Sequence, residues 1–140
     1  MNQEVIDFLK RERVCSLTTM VDGAPYSSAM HFSFNEDPLK LYFSTKSDSK
    51  KCKSIIDIGK TQAAVAIGFS ETEWLTLQME GEVKVVPDED LGEIKISHYA
   101  RHPESQKFEN DPKTVFLEFT PTWWKYSDFK SHPPKTYSSS

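Results

Sequence analysis

"WLTLQMEGEVKVV", residues 74–86, is the stretch on which the fold turns. Leu75, Leu77, Met79, Val83 and Val85 alternate with Thr76, Gln78, Glu80, Glu82 and Lys84, the period of two that gives a strand one buried face. Gly81 interrupts the apolar series and marks a bulge or a close approach by neighbouring backbone.

Outward from this strand, the chain offers others like it. "VCSLTTM" (14–20) is rich in β-formers, and the Asp22-Gly23 that follows is a hairpin signal. "YSSAMHFSF" (26–34) places Tyr26, Ser28, Met30, Phe32 and Phe34 on one face and Ser27, Ala29, His31 and Ser33 on the other. "LKLYFST" (39–45) points Leu39, Leu41 and Phe43 inward. "QAAVAIGF" (62–69) is nearly all apolar and reads as a strand buried on both faces. "KTVFLEFTP" (113–121) is a sixth strand, and "TWWKYSDF" (122–129) continues as a seventh.

Helical spacing appears three times: at 2–13 with Val5, Ile6 and Leu9; after Ser49 with Cys52, Ile55, Ile56 and Gly59 on one face; and at 88–102 behind Pro87. Residues 130–140, "KSHPPKTYSSS", have the composition of a disordered tail. A mainly β domain over 1–129 follows, with six or seven antiparallel strands and helices at the joints. An open sheet of that size exposes its edges, so a barrel, or pairing with a second subunit, is the expected remedy.

Composition narrows the function classes. Hydrophobic residues make up 37% and charged ones 27%, values of an ordinary globular chain. No apolar run approaches the roughly 18 residues of a membrane span. The first residues are polar and charged, unlike a secretory signal, so the expected location is cytoplasmic. Net charge is −4 with no basic stripe outside residues 43–55, which argues against a nucleic-acid partner. Cys15 and Cys52 belong to no metal or redox motif, and two free thiols are the simpler reading.

The exception to this acidic balance is "FSTKSDSKKCKSI", residues 43–55. It brings Lys46, Lys50, Lys51 and Lys53 to a helix entrance, where the dipole favours Asp or Glu. Hydroxyls, free helix-start N–H groups and lysines together make a phosphate-binding set. No glycine and no G-K-[ST] is present, so it is not a Walker loop. A solvated turn whose serine caps the helix is the competing reading, and the unfavourable placement of the lysines weighs against it.

A strand ending in Tyr42-Phe43-Ser44-Thr45, then Ser49-Lys50-Lys51, then a helix with Ile55, resembles the flavin-phosphate segment of the pyridoxamine 5′-phosphate oxidase-like FMN-binding split-barrel proteins. The hairpin at 14–34, the Glu-Gly strand "LQMEGEVKVV" and the aromatic strand "TPTWWKYSDF" match that family in order across residues 5–129. The resemblance implies an FMN-binding split barrel, a homodimer with FMN at the interface, and a small-molecule substrate. It implies that Thr45, Ser49, Lys50 and Lys51 bind the phosphate and that Met30, His31 and Phe32 line the isoalloxazine. Gln78, or Thr76 on the same face, reaches the ring's polar edge, and Trp123 and Trp124 come from the other subunit. The oxidases proper end in an arginine-rich motif with a Trp-Arg pair; here stands "WWKYSDFK". The chain therefore looks closer to short general stress-type flavoproteins than to a vitamin B6 oxidase. An FMN-dependent oxidoreductase is the expectation, with a non-catalytic flavin holder, or a barrel for haem or a deazaflavin, as alternatives.

Other residues carry less. His98 and His102 have a spacing that suits a shared metal, but no third ligand is evident and no metal site is assigned. His31 stands among serines as either a surface histidine or a flavin contact. No serine lies in G-x-S-x-G. No catalytic residue is assigned, because a flavin carries the electron chemistry itself.

Overall fold

The computed structural model describes residues 1–139. In chain order the elements are α1 (Gln3–Arg11), β1 (Val14–Val21), β2 (Ala24–His31), β3 (Ser33–Asn35), β4 (Lys40–Lys46), α2 (Lys50–Ile58), β5 (Lys60–Ile67), β6 (Leu75–Val85), α3 (Asp88–Arg101), a 3-10 helix (Pro103–Phe108), β7 (Thr114–Asp128) and β8 (Lys135–Ser138). The strands form one antiparallel sheet in the order β2-β1-β5-β6-β7-β4-β3, with β8 added to β7. Its two ends, β2 and β3, are separated in the chain by Phe32 alone. A sheet whose terminal strands are joined by one residue has to curl round on itself, so the result is a barrel split beside β2.

Phe32 makes that corner. Its N–H donates to the Arg13 carbonyl at 3.2 Å, its own carbonyl accepts from His102 at 2.6 Å, and its ring is fully buried. The single strand expected over 26–34 is therefore two strands with different partners. Ser33, expected to face outward, is buried and bonded to His98 at 2.7 Å. A buried hydroxyl needs a partner, and the histidine of α3 supplies it.

The barrel interior is filled by Leu17, Phe43, Val65, Ile67, Leu77, Met79 and Phe119, capped by Phe8 and Leu9 of α1 and by Cys52 and Ile55 of α2. A smaller cluster, Val86, Ile94, Tyr99 and Phe116, holds α3 against the outside of the sheet. Asn2 caps α1, its side-chain oxygen accepting from the Glu4 amide at 2.7 Å. Asn2→Ala is expected to cost about 1 kcal/mol in chemical denaturation, the ordinary worth of such a cap.

Four further expectations shift. The two strands expected at 113–121 and 122–129 are one continuous strand, β7. β5 is not buried on both faces: Ala63, Val65 and Ile67 are inside, whereas Ala64 and Ala66 lie half-buried on the outer face. Ile56 is 46% exposed, because the helix turns only Cys52 and Ile55 fully inward. The expected tail contains β8, which pairs Tyr137 with Tyr126, the rings stacked at 6.1 Å. β7 leaves an edge free there, since β4 covers only Thr114 to Phe119. The β-prone pair Thr136-Tyr137 fills part of it.

Gly81 lies where the register of β6 against β7 slips: Glu80 faces Trp123 and Gly81 faces Pro121, so Thr122 bulges out. Pro121, lacking an N–H, is tolerated at this bulge, on a stretch of β7 that neither β4 nor β8 covers.

Candidate functional site

The lysine segment leaves β4 and is pinned before it turns into α2. The Ser47 amide donates to Lys113 O at 2.7 Å, the Ser49 amide to Lys46 O at 3.0 Å, and Asp48 pairs with Lys113 at 2.9 Å. Helix α2 forms because Cys52 and Ile55, three apart, both reach the core; it ends at Gly59, whose φ of 97° favours glycine. Its N-cap residue, Ser49, is extended, yet the hydroxyl does not cap the helix: Oγ is buried and has no partner among the described residues. The first turn carries no acid. The amides of Lys50 and Lys51 have no carbonyl partner among the described residues.

Lys51 is the anomaly. It is 9% exposed and pairs with no carboxylate among the described residues, and burial pushes its pKa down. An ammonium partly desolvated in this way, with no carboxylate beside it, favours an anion as neighbour. Lys50 is exposed, with its ammonium 5.0 Å over the ring of Tyr26 on β2. Thr45 is half-buried at the end of β4. Lys46 is engaged with Asp111 at 3.7 Å. A hydroxyl without a partner, two lysines and free helix-start amides therefore follow one another at the head of α2, a set whose chemistry suits a phosphate dianion.

A second feature is the outer face of the sheet. Ladder pairings place Ala29, Ser16, Ala66, Gln78 and Lys125 in one row across β2, β1, β5, β6 and β7. Ser27, Thr18, Ala64, Glu80 and Trp123 form the next row. The middle of this face is made of small side chains, and shallow depressions there are lined by Ser16, Thr18, Ala64, Ala66, Gln78 and Trp123. Thr76 lies on the same face, opposite Ser127. Trp124 does not: strand alternation turns it to the other side, opposite Met79, where it packs on the core.

The three residues expected around a flavin ring turn their side chains in different directions. Met30 packs against the core from β2. Phe32 is the corner residue, with ring and both backbone groups already engaged. His31 projects away and stacks on His102, ring centroids 4.9 Å apart.

That stacking belongs to a third feature. His98 is buried, with Nδ1 on Ser33, and its pKa is lowered to about 4, burial being the largest cause and the neighbouring histidines the next. His102, at the end of α3, is fully buried; its Nε2 meets the Phe32 carbonyl, and its Nδ1 lies 3.2 Å from the Arg13 guanidinium. Spacing suggests His98 and His102 as a pair. Sequence gives no sign that His31, Glu104 and Arg13 join His102 instead, since they come from separate segments brought together at the Phe32 corner.

Comparison with known proteins follows this geometry. Residues 1–128 match the family model described as Pyridoxamine 5′-phosphate oxidase. Comparison with curated proteins finds no match. Among solved structures, the chain superposes on a pyridoxamine 5′-phosphate oxidase-related, FMN binding protein from Nostoc punctiforme, with a TM-score of 0.72 and 20% identity over 98% of this chain and 88% of that one. General Stress Protein 26 from Bacillus anthracis gives 0.71 and 21% over 96% and 95%. A heme binding protein from Mycobacterium smegmatis gives 0.76 at 9% identity, over 95% of this chain and 55% of that one. At these identities the superpositions speak for the fold. With its whole sheet inside the matched region save β8, the chain belongs to the pyridoxamine 5′-phosphate oxidase family and has its split-barrel fold.

Proposed function

We propose that this protein is an FMN-binding flavoprotein that works as a homodimer, and that it is an oxidoreductase acting on a small molecule. The observation that carries the reading is Lys51, nine-tenths buried in the first turn of α2 without a carboxylate, beside the orphaned Ser49 hydroxyl. A terminal phosphate satisfies both. Thr45, Ser49, Lys50 and Lys51 hold that phosphate; Lys51 supplies buried charge and Lys50 a mobile one. FMN, when bound, supplies two-electron chemistry by accepting hydride equivalents at its ring.

The outer face supports the dimer. A solvated sheet face is normally polar and often charged, whereas Ser16, Thr18, Ala29, Ala64 and Ala66 let another backbone approach closely. Gln78 offers an amide to a ring's polar edge, and Trp123 offers a stacking surface. A second subunit laid on this face excludes water from both. The FMN binding relative from Nostoc punctiforme is consistent with the cofactor, and the heme binding one names the competitor.

The test is the absorption spectrum of the purified protein, with reconstitution by FMN and sedimentation equilibrium. A flavin spectrum at one FMN per chain, on a dimer, supports the reading. A Soret band, a deazaflavin spectrum, or failure to take up FMN overturns it. Ala64→Arg together with Ala66→Arg is expected to yield monomers that bind FMN at least 10-fold more weakly (roughly the 1.4 kcal/mol per decade of lost interface contact). For the enzymatic part, bound FMN should be reduced by a nicotinamide or a small substrate faster than free FMN; equal rates leave a flavin holder.

A further inference from the structure

We propose that His31, His102 and Glu104 form a binding site for one divalent transition-metal ion, zinc foremost, in which Arg13 serves as the resident cation until metal displaces it. One donor atom from each of the three residues lies within 4.8 Å of the others. His102 Nδ1 and Glu104 Oε1 are 3.7 Å apart. Tetrahedral zinc with bonds of about 2.0–2.2 Å holds neighbouring donors roughly 3.4 Å apart, so a small side-chain movement completes the site.

His102 is prepared for the task. It is fully buried, and its Nε2–H donates to the Phe32 carbonyl at 2.6 Å. That bond fixes the tautomer and leaves Nδ1 unprotonated beside Arg13 and Glu104, with the His31 ring stacked on that of His102. A backbone carbonyl on the far nitrogen is the usual outer support of a metal-bound imidazole. Burial lowers the His102 pKa, against the Phe32 hydrogen bond that raises it, a direction that favours the neutral form a ligand needs. His31 and Glu104 are exposed and adjustable, so the cluster has one rigid donor and two mobile ones.

Arg13 shows that the position attracts a cation. Its guanidinium contacts both His102 Nδ1 and the Glu104 carboxylate, the two groups a metal would share. It stands on the two-residue link between α1 and β1, with its side chain about half exposed, so it can swing into solvent. Arg101, the other nearby cation, is held by the Leu9 and Glu12 carbonyls over the Phe32 ring and does not enter. His98 is also outside the set, its Nδ1 taken by Ser33. Two imidazoles and a carboxylate suit zinc and its neighbours and leave a position open for water or a small ligand. The site is independent of the phosphate entrance: Tyr26 beside Lys50 and His31 lie five residues apart along β2, roughly 17 Å.

The experiment titrates the full chain, freed of metal by chelator and with or without FMN, with zinc chloride by calorimetry and competition against a chromophoric chelator. One ion per chain in the micromolar range is expected. His31→Gln and Glu104→Gln, both at exposed positions, should each weaken binding about 10-fold or more at unchanged melting temperature. Arg13→Gln should tighten it several-fold by removing the competitor. Absence of saturable binding overturns the proposal, as does binding that ignores His31→Gln and Glu104→Gln. An Arg13→Gln variant that melts earlier without binding zinc more tightly overturns the exchange and leaves Arg13 a structural clamp.

Discussion

Alanine at both Lys50 and Lys51 lowers FMN affinity by about 100-fold or more, while the FMN-free protein stays folded. Each lysine offers the phosphate a charge-assisted hydrogen bond worth roughly 1.5–3 kcal/mol, and every 1.4 kcal/mol is about tenfold in affinity. The two residues are not equivalent. Lys50 is exposed and rests on Tyr26, so its loss removes charge from a solvated position. Lys51 is buried with no carboxylate partner among the described residues, so the apo protein bears a partly desolvated ammonium, which a bound phosphate would relieve. Lys51→Met keeps the apolar stem and deletes that burden. Its apo form should melt higher than the parent, while its FMN affinity falls at least tenfold, roughly the value of one charged bond. Flavin-fluorescence titration and thermal denaturation of the same preparations read both effects. Unchanged affinity in the double variant sinks the phosphate assignment, and an apo Lys51→Met that melts lower shows that the ammonium is structural.

Gly81→Ala unfolds the protein more readily by about 3 kcal/mol, at the upper end of what overpacking usually costs. A Cβ built at Gly81 falls 2.1 Å from the Thr120 carbonyl oxygen and 2.8 Å from Pro121 Cα. Both obstacles are backbone in the ladder of β6 with β7, so the strands have to part. Gly92, in the middle of α3, is the control: a Cβ there meets nothing within 4 Å. Gly92→Ala should stabilise by roughly 0.5–1 kcal/mol through helix propensity and a less flexible unfolded chain. Urea denaturation of the two variants should therefore move midpoints in opposite directions. A Gly81→Ala protein as stable as the parent means that the bulge relaxes freely and that the close approach is incidental.

Position 81 was legible in the sequence as a break in an alternating strand, although its pairing with Pro121 of β7 was not. The same division recurs along the chain. Alternation in 74–86 and 39–45 and helical spacing in α1 and α2 fixed these elements, because periods of two and of roughly 3.6 are local properties of the backbone. The lysine-bearing entrance was legible too, since a helix start is defined by its own first turn. Strand alternation also separated Trp123 from Trp124, a consequence of register that the paired reading of the two tryptophans did not use.

What was not legible depends on segments far apart in sequence. Phe32 looks like one more inward strand residue; it is a corner because Arg13 and His102 take its two backbone groups. Ser33 looks outward until α3 covers it. The stretch from residue 130 reads as a tail, yet 135–138 forms β8 because β7 outruns β4 and leaves an edge.

By itself the sequence determined the mainly β class, most strand and helix positions, and a lysine cluster at the head of α2. Tertiary structure alone decided that Lys51 is buried without a counter-charge, that small residues of β1, β2 and β5 form one uncovered face, and that His31, His102 and Glu104 meet. The reason is physical: local patterns report how a segment satisfies its own backbone and which side it buries. Desolvation, pairing and convergence are set by whatever other segments arrive, and no spacing within one segment encodes that.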